Sequence, residues 1–165
     1  MSYLELTSHS PEQTKKFGVR IGELALPGDI LLLVGGLGTG KTCLTQGIAW
    51  GLGIKEYTMS PSFVIVRELY GRLPLYHIDL YRLDHLEEIV ELGLDDYLYG
   101  NGICVVEWAD NGLSLLPSEH LLIQISYLAD TERSFQLKPS SKRYLEIATQ
   151  LKNFIPEQVQ ELDNH

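Results

Sequence analysis

Eight consecutive residues, Gly35-Gly36-Leu37-Gly38-Thr39-Gly40-Lys41-Thr42, fit the pattern G-x-x-x-x-G-K-[ST] in full. Each residue type in it has a physical use. Glycines let backbone N–H groups converge on an anion with no Cβ in the way. A helix opening at Lys41 adds the positive end of its dipole. Lys41 brings a point charge to the β- and γ-phosphates of a nucleotide, and Thr42 brings a hydroxyl, a hard oxygen of the kind Mg2+ prefers. The chemistry implied is binding of Mg-ATP, with Gly36, Leu37, Gly38, Thr39, Gly40, Lys41 and Thr42 as the nucleotide-contacting stretch. No Asn-Lys-x-Asp follows the loop, which favours ATP over GTP. The loop specifies a phosphate site but leaves the reaction open.

Other polar residues sit where such a site would use them. Glu107 ends the apolar run Ile103-Cys104-Val105-Val106. An acid at the carboxyl end of a buried strand is suited to holding Mg2+, through water, or to orienting an attacking water. A solvated carboxylate at a strand end is the plainer alternative. Trp108 fits a lid or partner contact and fits equally a half-buried core tryptophan. His77-Ile78-Asp79-Leu80-Tyr81-Arg82 alternates polar and apolar, so His77, Asp79 and Tyr81 are expected on one face, functional or simply the wet side of a hairpin. Ser60-Pro61-Ser62-Phe63 forms either a nucleotide-sensing switch or an ordinary turn. His77, Asp79 and His85 lack zinc-site spacing, and neither a Cys pair nor H-E-x-x-H is present.

The elements that must position these groups are legible. Ile30-Leu31-Leu32-Leu33-Val34, after the turn Pro27-Gly28-Asp29, has no polar alternation and reads as a strand buried on both faces. A helix from about Lys41 to Leu52 carries Leu44, Ile48 and Leu52, with Gly51 and Gly53 ending it. Ser10-Pro11-Glu12-Gln13 opens an earlier helix, with serine as cap, proline at the first position and glutamine placed for a capping box. Phe63 to Leu69 and Leu75 to Leu80 read as a hairpin around Tyr70-Gly71-Arg72. Asp84 and Glu87 cap a short helix, Leu121 to Ile125 and Ser134 to Leu137 are strands, and Tyr144, Ile147, Leu151 and Phe154 line a last amphipathic helix. The expected fold is α/β: a P-loop NTPase-like three-layer sandwich with a mixed, largely parallel central sheet and an antiparallel hairpin. Residues 1–165 are expected to form a single ATPase domain, with a frayed polar tail at about 157–165.

Composition narrows the setting. The 165 residues are 44% apolar and 21% charged, ordinary for a globular chain. No run approaches the roughly 20 apolar residues of a membrane span, and Met1 to Glu5 lacks the features of a signal peptide, so a cytoplasmic setting is expected. The two cysteines, Cys43 and Cys104, lie in apolar segments and read as small core residues in a reducing compartment. A net charge of −9 argues against autonomous nucleic-acid binding, though not against reaching nucleic acid through a partner. It also requires the nucleotide site to supply its own positive charge.

Leu37-Gly38-Thr39-Gly40-Lys41-Thr42, Ser60-Pro61-Ser62-Phe63, His77-Ile78-Asp79-Leu80-Tyr81-Arg82-Leu83 and Glu107-Trp108 occur in an order and at spacings that resemble the TsaE (YjeE) family. The resemblance covers nearly the whole chain. It implies a bacterial cytoplasmic ATPase required for threonylcarbamoyladenosine in tRNA, on the adenosine next to the anticodon. The implied partners are TsaB and TsaD, with TsaD as the transferase, ATP hydrolysis here sustaining its turnover, and tRNA reached through the complex. Matched by position, Gly38, Gly40, Lys41 and Thr42 are the phosphate and Mg2+ binders, with Cys43 at the start of the helix as a further nucleotide-binding position, Thr42 and Glu107 the magnesium positions, and Asp79 an acid near metal and switch. That gives Lys41, Asp79 and Glu107 as catalytic candidates and Thr42, Glu107 and Asp79 as metal candidates. Ser60 to Phe63 matches the switch-like stretch, and Ser10, Thr14 and Arg133 are candidates to enclose the adenine. Two residues depart from the family pattern: Gly36 stands where an acid is usual and Thr39 where alanine is usual. Besides a partner-stimulated ATPase, a small-molecule kinase and a nucleotide-gated binding module with little hydrolysis remain open, although no Arg-rich lid accompanies the central Arg67, Arg72 and Arg82.

Overall fold

The computed structural model of the chain describes residues 3–36, 38–56, 66–83 and 85–154. Leu37, the Ser60 to Phe63 stretch, the first residues of the expected hairpin, Asp84 and the tail at 157–165 lie outside the described residues. Seven strands form one sheet: β1 (Leu4–Ser8), β2 (Ile30–Val34), β3 (Val66–Tyr70), β4 (Pro74–Asp79), β5 (Ile103–Glu107), β6 (Leu121–Tyr127) and β7 (Arg133–Pro139). Their spatial order is β1-β7-β6-β2-β5-β4-β3. The central four, β6, β2, β5 and β4, run parallel, while β1, β7 and β3 join antiparallel at the edges. A mixed sheet with helices on both faces is the expected α/β sandwich.

Strand parity assigns each side chain to a layer. Leu31 and Leu33 of β2 and Val105 of β5 belong to one apolar cluster, with Phe17, Leu44 and Ile48. Ile30, Leu32, Cys104 and Val106 belong to the other, with Leu80, Ile89 and Leu98. Successive strand residues point to opposite faces, so the unalternating run Ile30–Val34 feeds both cores at once. The first layer holds α1 (Pro11–Leu24), α2 (Lys41–Gly51) and α5 (Lys142–Asn153). The second holds two short helices, α3 (Leu86–Glu91) and α4 (Asp95–Leu98), and two single 3-10 turns at Ala109–Asn111 and Leu113–Leu115.

Helix α1 begins as its sequence dictates. Ser10 is the N-cap, its hydroxyl accepts from the Gln13 N–H at 3.1 Å, and Pro11 takes the first position. Such a cap is worth about 1 kcal/mol. The Gln13 side chain reaches back one residue further than a capping box prescribes, accepting from the His9 N–H at 2.8 Å. Helices α1 and α2 touch backbone to backbone. A Cβ on Gly47 would stand 2.1 Å from the Lys15 carbonyl oxygen, and one on Gly18 would stand 2.4 Å from that of Leu44. Gly51 repeats this contact against Val19 at 2.2 Å. It is therefore the last helical residue of α2, held by packing, and not the residue that ends the helix. Leu52 and the positive-φ Gly53 do that.

The β3–β4 hairpin turns through Gly71, Arg72 and Leu73, and its tip docks under α2, with the Arg72 N–H donating to the Leu52 carbonyl at 2.7 Å. Strand β1 was not anticipated. Leu4 and Leu6 alternate with Glu5 and Thr7, a period-2 pattern too short to stand out, and pairing with β7 makes it a strand. The short second-layer helix begins at Leu86, with His85 at the cap position.

Candidate functional site

Strand β2 ends at Val34 and α2 begins at Lys41, so the glycine-rich loop spans the carboxyl end of the sheet. Gly38 and Gly40 hold φ of +72° and +110°, a left-handed backbone that side chains rarely adopt. The loop is closed by its own groups. The Thr39 hydroxyl donates to the Gly36 carbonyl at 2.9 Å, and Lys41 Nζ donates to the Gly35 and Gly36 carbonyls, each at 2.7 Å. The ammonium also sits 4.2 Å from the centre of the Trp108 ring. Burial lowers the Lys41 pKa, while the charges of Glu107, Asp110 and Asp79 oppose that shift.

The acids come from the next strands. Leu33 pairs with Glu107 across β2–β5, and Asp79 pairs with Glu107 across β4–β5. By parity with Leu33, both carboxylates face the layer that contains α2. Glu107 Oε1 lies 3.5 Å from the Thr42 hydroxyl, a long, weak contact. Its Oε2 meets Nε2 of His77, which is fully buried. Asp79 Oδ1 accepts from the Tyr81 N–H at 2.9 Å. Trp108, directly after Glu107, is the one non-glycine with positive φ among the described residues (57°). That turn lays its ring against Tyr81, centroids 4.7 Å apart, and over Lys41. Trp108 is thus half-buried and also part of the site wall.

Strands β6 and β7 grip the other side of the loop. Arg133 Nε donates to the Thr39 carbonyl at 3.1 Å, and the Tyr127 hydroxyl donates to the Gly38 carbonyl at 2.9 Å. The guanidinium stacks on the Tyr127 ring at 4.1 Å. Among the described residues, two cavities border the first turn of α2. One of about 370 Å³ is lined by Lys41, Thr42, Glu107 and Trp108. The other, about 220 Å³, is lined by Pro11, Thr14, Thr39, Thr131 and Arg133. Gly38, Gly40 and Cys43 border both.

The donor set fits a magnesium–nucleotide. The first cavity combines one ammonium, one hydroxyl and a carboxylate, with Asp79 on the neighbouring strand; hard oxygens of this kind suit Mg2+. Among the described residues no three His, Cys, Asp or Glu side chains make a metal site by themselves. Mg2+ bound with one or two protein ligands draws its remaining ligands from phosphate and water. The second cavity is flatter in chemistry. Thr14 spends its hydroxyl on Ser8 at 2.8 Å and is itself buried, and its Cγ2 is the atom nearest to where a Cβ on Gly40 would stand. An apolar wall beside Arg133 suits a planar base.

The family model described as "Threonylcarbamoyl adenosine biosynthesis protein TsaE" matches residues 8–135. The chain belongs to the TsaE family. It is 43% identical over 145 residues to the tRNA threonylcarbamoyladenosine biosynthesis protein TsaE of Bacillus subtilis, covering 87% of this chain and 90% of that protein. It is 40% identical over 130 residues to the TsaE of Treponema pallidum, covering 79% and 96%. The crystal structure of Bacillus subtilis YdiB superposes with a TM-score of 0.79 at 39% identity, covering 92% of this chain and 95% of that one.

Of the TsaE-type residues expected at the site, Gly36, Gly38, Thr39, Gly40, Lys41, Thr42, Asp79 and Glu107 come together at the carboxyl end of the central strands, and Cys43, Thr14 and Arg133 border the cavities. Ser10 does not line either cavity; it caps α1, and Pro11 takes the lining position. Cys43, expected in the core, is half-exposed, whereas Cys104 is buried as expected. The alternation at His77 is not the wet side of a hairpin: His77 and Asp79 are both buried, and Tyr81 lies beyond the strand, exposed. Sequence reasoning missed Tyr127 and Thr131, which carry no local signal, and the contact of His77 with Glu107, hinted at only by the shared face of His77 and Asp79.

Proposed function

We propose that the chain is a Mg2+-dependent ATPase of the tRNA threonylcarbamoyladenosine system, acting in the cytoplasm as one domain and sustaining turnover of a TsaB–TsaD transferase that brings the tRNA. The observation that carries this reading is the junction of Lys41 and Thr42 with Glu107 at the carboxyl end of adjacent parallel strands. Family membership supports the pathway.

Each residue then has a task. Backbone N–H groups of the loop and the α2 N-terminus bind the phosphates. Lys41 leaves the Gly35 and Gly36 carbonyls and neutralises the terminal phosphate. Thr42 and Glu107 hold the magnesium shell, and Asp79 supports it from the adjacent strand. Bound Mg2+ supplies charge neutralisation at the phosphate oxygens. Arg133 and Thr14 flank the base. A net charge of −9 leaves tRNA contact to the partners. No helix among the described residues is long and apolar enough to cross a membrane.

One observation favours a second reading, a nucleotide-gated module with little hydrolysis: Lys41 donates to the carbonyls of its own loop. A kinase reading gains no such support. Arg72 is held by the Gly22 and Ala25 carbonyls at the far end of α1, whereas the loop lies against that helix's first turn.

The deciding experiment is ATP hydrolysis by the purified protein, alone and with TsaB plus TsaD, with Lys41→Ala as control. Slow turnover that rises with the partners and disappears in the variant is the expected result. Turnover that stays negligible in the full assembly would leave the gated module.

A further inference from the structure

We propose that His77 is the positioning residue of this site: it holds one oxygen of Glu107 so that only the other faces Thr42 and the magnesium–nucleotide. The proposal rests on the magnesium–nucleotide reading given above. His77 is fully buried in β4 and lies diagonally across from Glu107, since its register partner is Val105. Its Nε2 meets Glu107 Oε2, while Nδ1 is buried with no hydrogen-bond partner among the described residues.

That asymmetry fixes the roles of the two nitrogens. An ionised carboxylate only accepts, so the proton in the contact belongs to His77 and Nε2 donates. In the neutral imidazole Nδ1 is then the acceptor nitrogen, and no buried N–H is left without a partner. The opposite tautomer would set a lone pair against the carboxylate and bury an N–H with no acceptor. Leu75 stands two residues earlier on the same face and is equally buried. Packing alone would accept another leucine at 77. A histidine with half its hydrogen-bonding capacity unmet is explained by what its other half holds.

The effect on Glu107 is directional. A glutamate side chain has three rotatable torsions, and the contact at Oε2 removes most of that freedom. Oε1 is left 3.5 Å from the Thr42 hydroxyl, on the cavity side. Glu107 therefore acts through a single oriented oxygen. Partners that orient a metal-facing group in this way are typically worth about 10–100-fold in metal affinity or activity.

The test compares His77→Leu with His77→Gln, whose amide nitrogen lies near the place of imidazole Nε2 and keeps a donor there. ADP affinity is measured by calorimetry with Mg2+ and with EDTA. His77→Leu is expected to lose about 10-fold or more of the magnesium-dependent gain, to hold its EDTA affinity, and to lower kcat for ATP. His77→Gln is expected to restore most of the gain. Long-range 1H–15N NMR of the wild-type imidazole needs no substitution and is expected to report a proton on Nε2. Unchanged magnesium dependence in His77→Leu, equal losses in both variants, or a proton on Nδ1 with none on Nε2 would each overturn the positioning role. A wild-type protein whose ADP binding ignores Mg2+ would instead overturn the magnesium–nucleotide reading beneath it.

Discussion

The phosphate loop is held from two sides by opposite chemistry. On the β6–β7 side, Tyr127 and Arg133 donate to the carbonyls of Gly38 and Thr39. Those contacts fix the backbone, and no acid is among the residues that line the cavity there. On the β4–β5 side, the charges of Glu107 and Asp79 act on the Lys41 ammonium, and the Trp108 ring lies 4.2 Å from it. Those contacts act on charge. The difference assigns shape to one flank and reaction to the other. Damage to the first should weaken nucleotide binding whether or not Mg2+ is present. Damage to the second should fall on magnesium dependence and turnover.

The largest effect is expected where both flanks converge. Lys41→Ala removes the only full positive charge in the loop and should cost about 10²–10³-fold in turnover, the scale of losing one donor to a developing charge. Wild-type hydrolysis in that variant would end the distinction, since neither flank would then be serving a phosphate site.

Glu107→Gln keeps the shape of the side chain and removes its charge. A loss of about 10–100-fold in partner-dependent turnover is expected, with ADP affinity in EDTA preserved. If affinity in EDTA collapsed as well, the acid flank would be a structural support for the loop and the two sides would not differ in kind.

Arg133→Ala tests the opposite flank. Hydrogen bonds to a charged donor are worth about 1.5–3 kcal/mol, and the partly exposed guanidinium should sit at or below the low end. ADP binding should weaken roughly ten-fold, equally with Mg2+ and with EDTA. A loss confined to the magnesium condition would reverse the assignment. Tyr127→Phe removes one exposed hydroxyl contact and should weaken binding by about 1 kcal/mol or less, seen by the same titration.

The smallest effect is chemical labelling. Cys43 borders both cavities, half-exposed, with burial raising its thiol pKa; Cys104 is buried, and its pKa is pushed up to about 12. A raised pKa means less thiolate at a given pH and slower alkylation. Cys43 should therefore label slowly at pH 8, faster as pH rises, and always ahead of Cys104. Saturating ADP should protect it. Labelling of Cys104 first, read by peptide mass spectrometry, would contradict the burial described above.

Much of this organisation was legible because local rules agree with the fold. The run Ile30–Val34, the glycine loop and the helix that follows are dictated by short-range chemistry: unalternating apolar residues, positive-φ glycines and a helix N-terminus. The Ser10 cap and the β3–β4 hairpin follow from equally local signals. Strand β1 was not legible, because Leu4–Ser8 becomes a strand by pairing with β7, more than a hundred residues away. Gly51 was misread for the same reason. Its sequence neighbours suggest a helix stop, and only the approach of Val19 from another helix reveals a packing contact.

The sequence by itself determined the phosphate loop, the buried strands on either side of it in the chain and the acid that closes one of them. Those are statements about neighbours along the chain, where residue type and period suffice. The tertiary structure decided which groups meet: Glu107 beside Thr42, His77 behind Glu107, Trp108 over Lys41, and Arg133 on the opposite edge of the loop. The reason is geometric. Strand order sets lateral neighbours about 4.8 Å apart, and residues 30 to 95 positions apart in the chain share a site only because β2, β4, β5, β6 and β7 bring their ends to one end of the sheet.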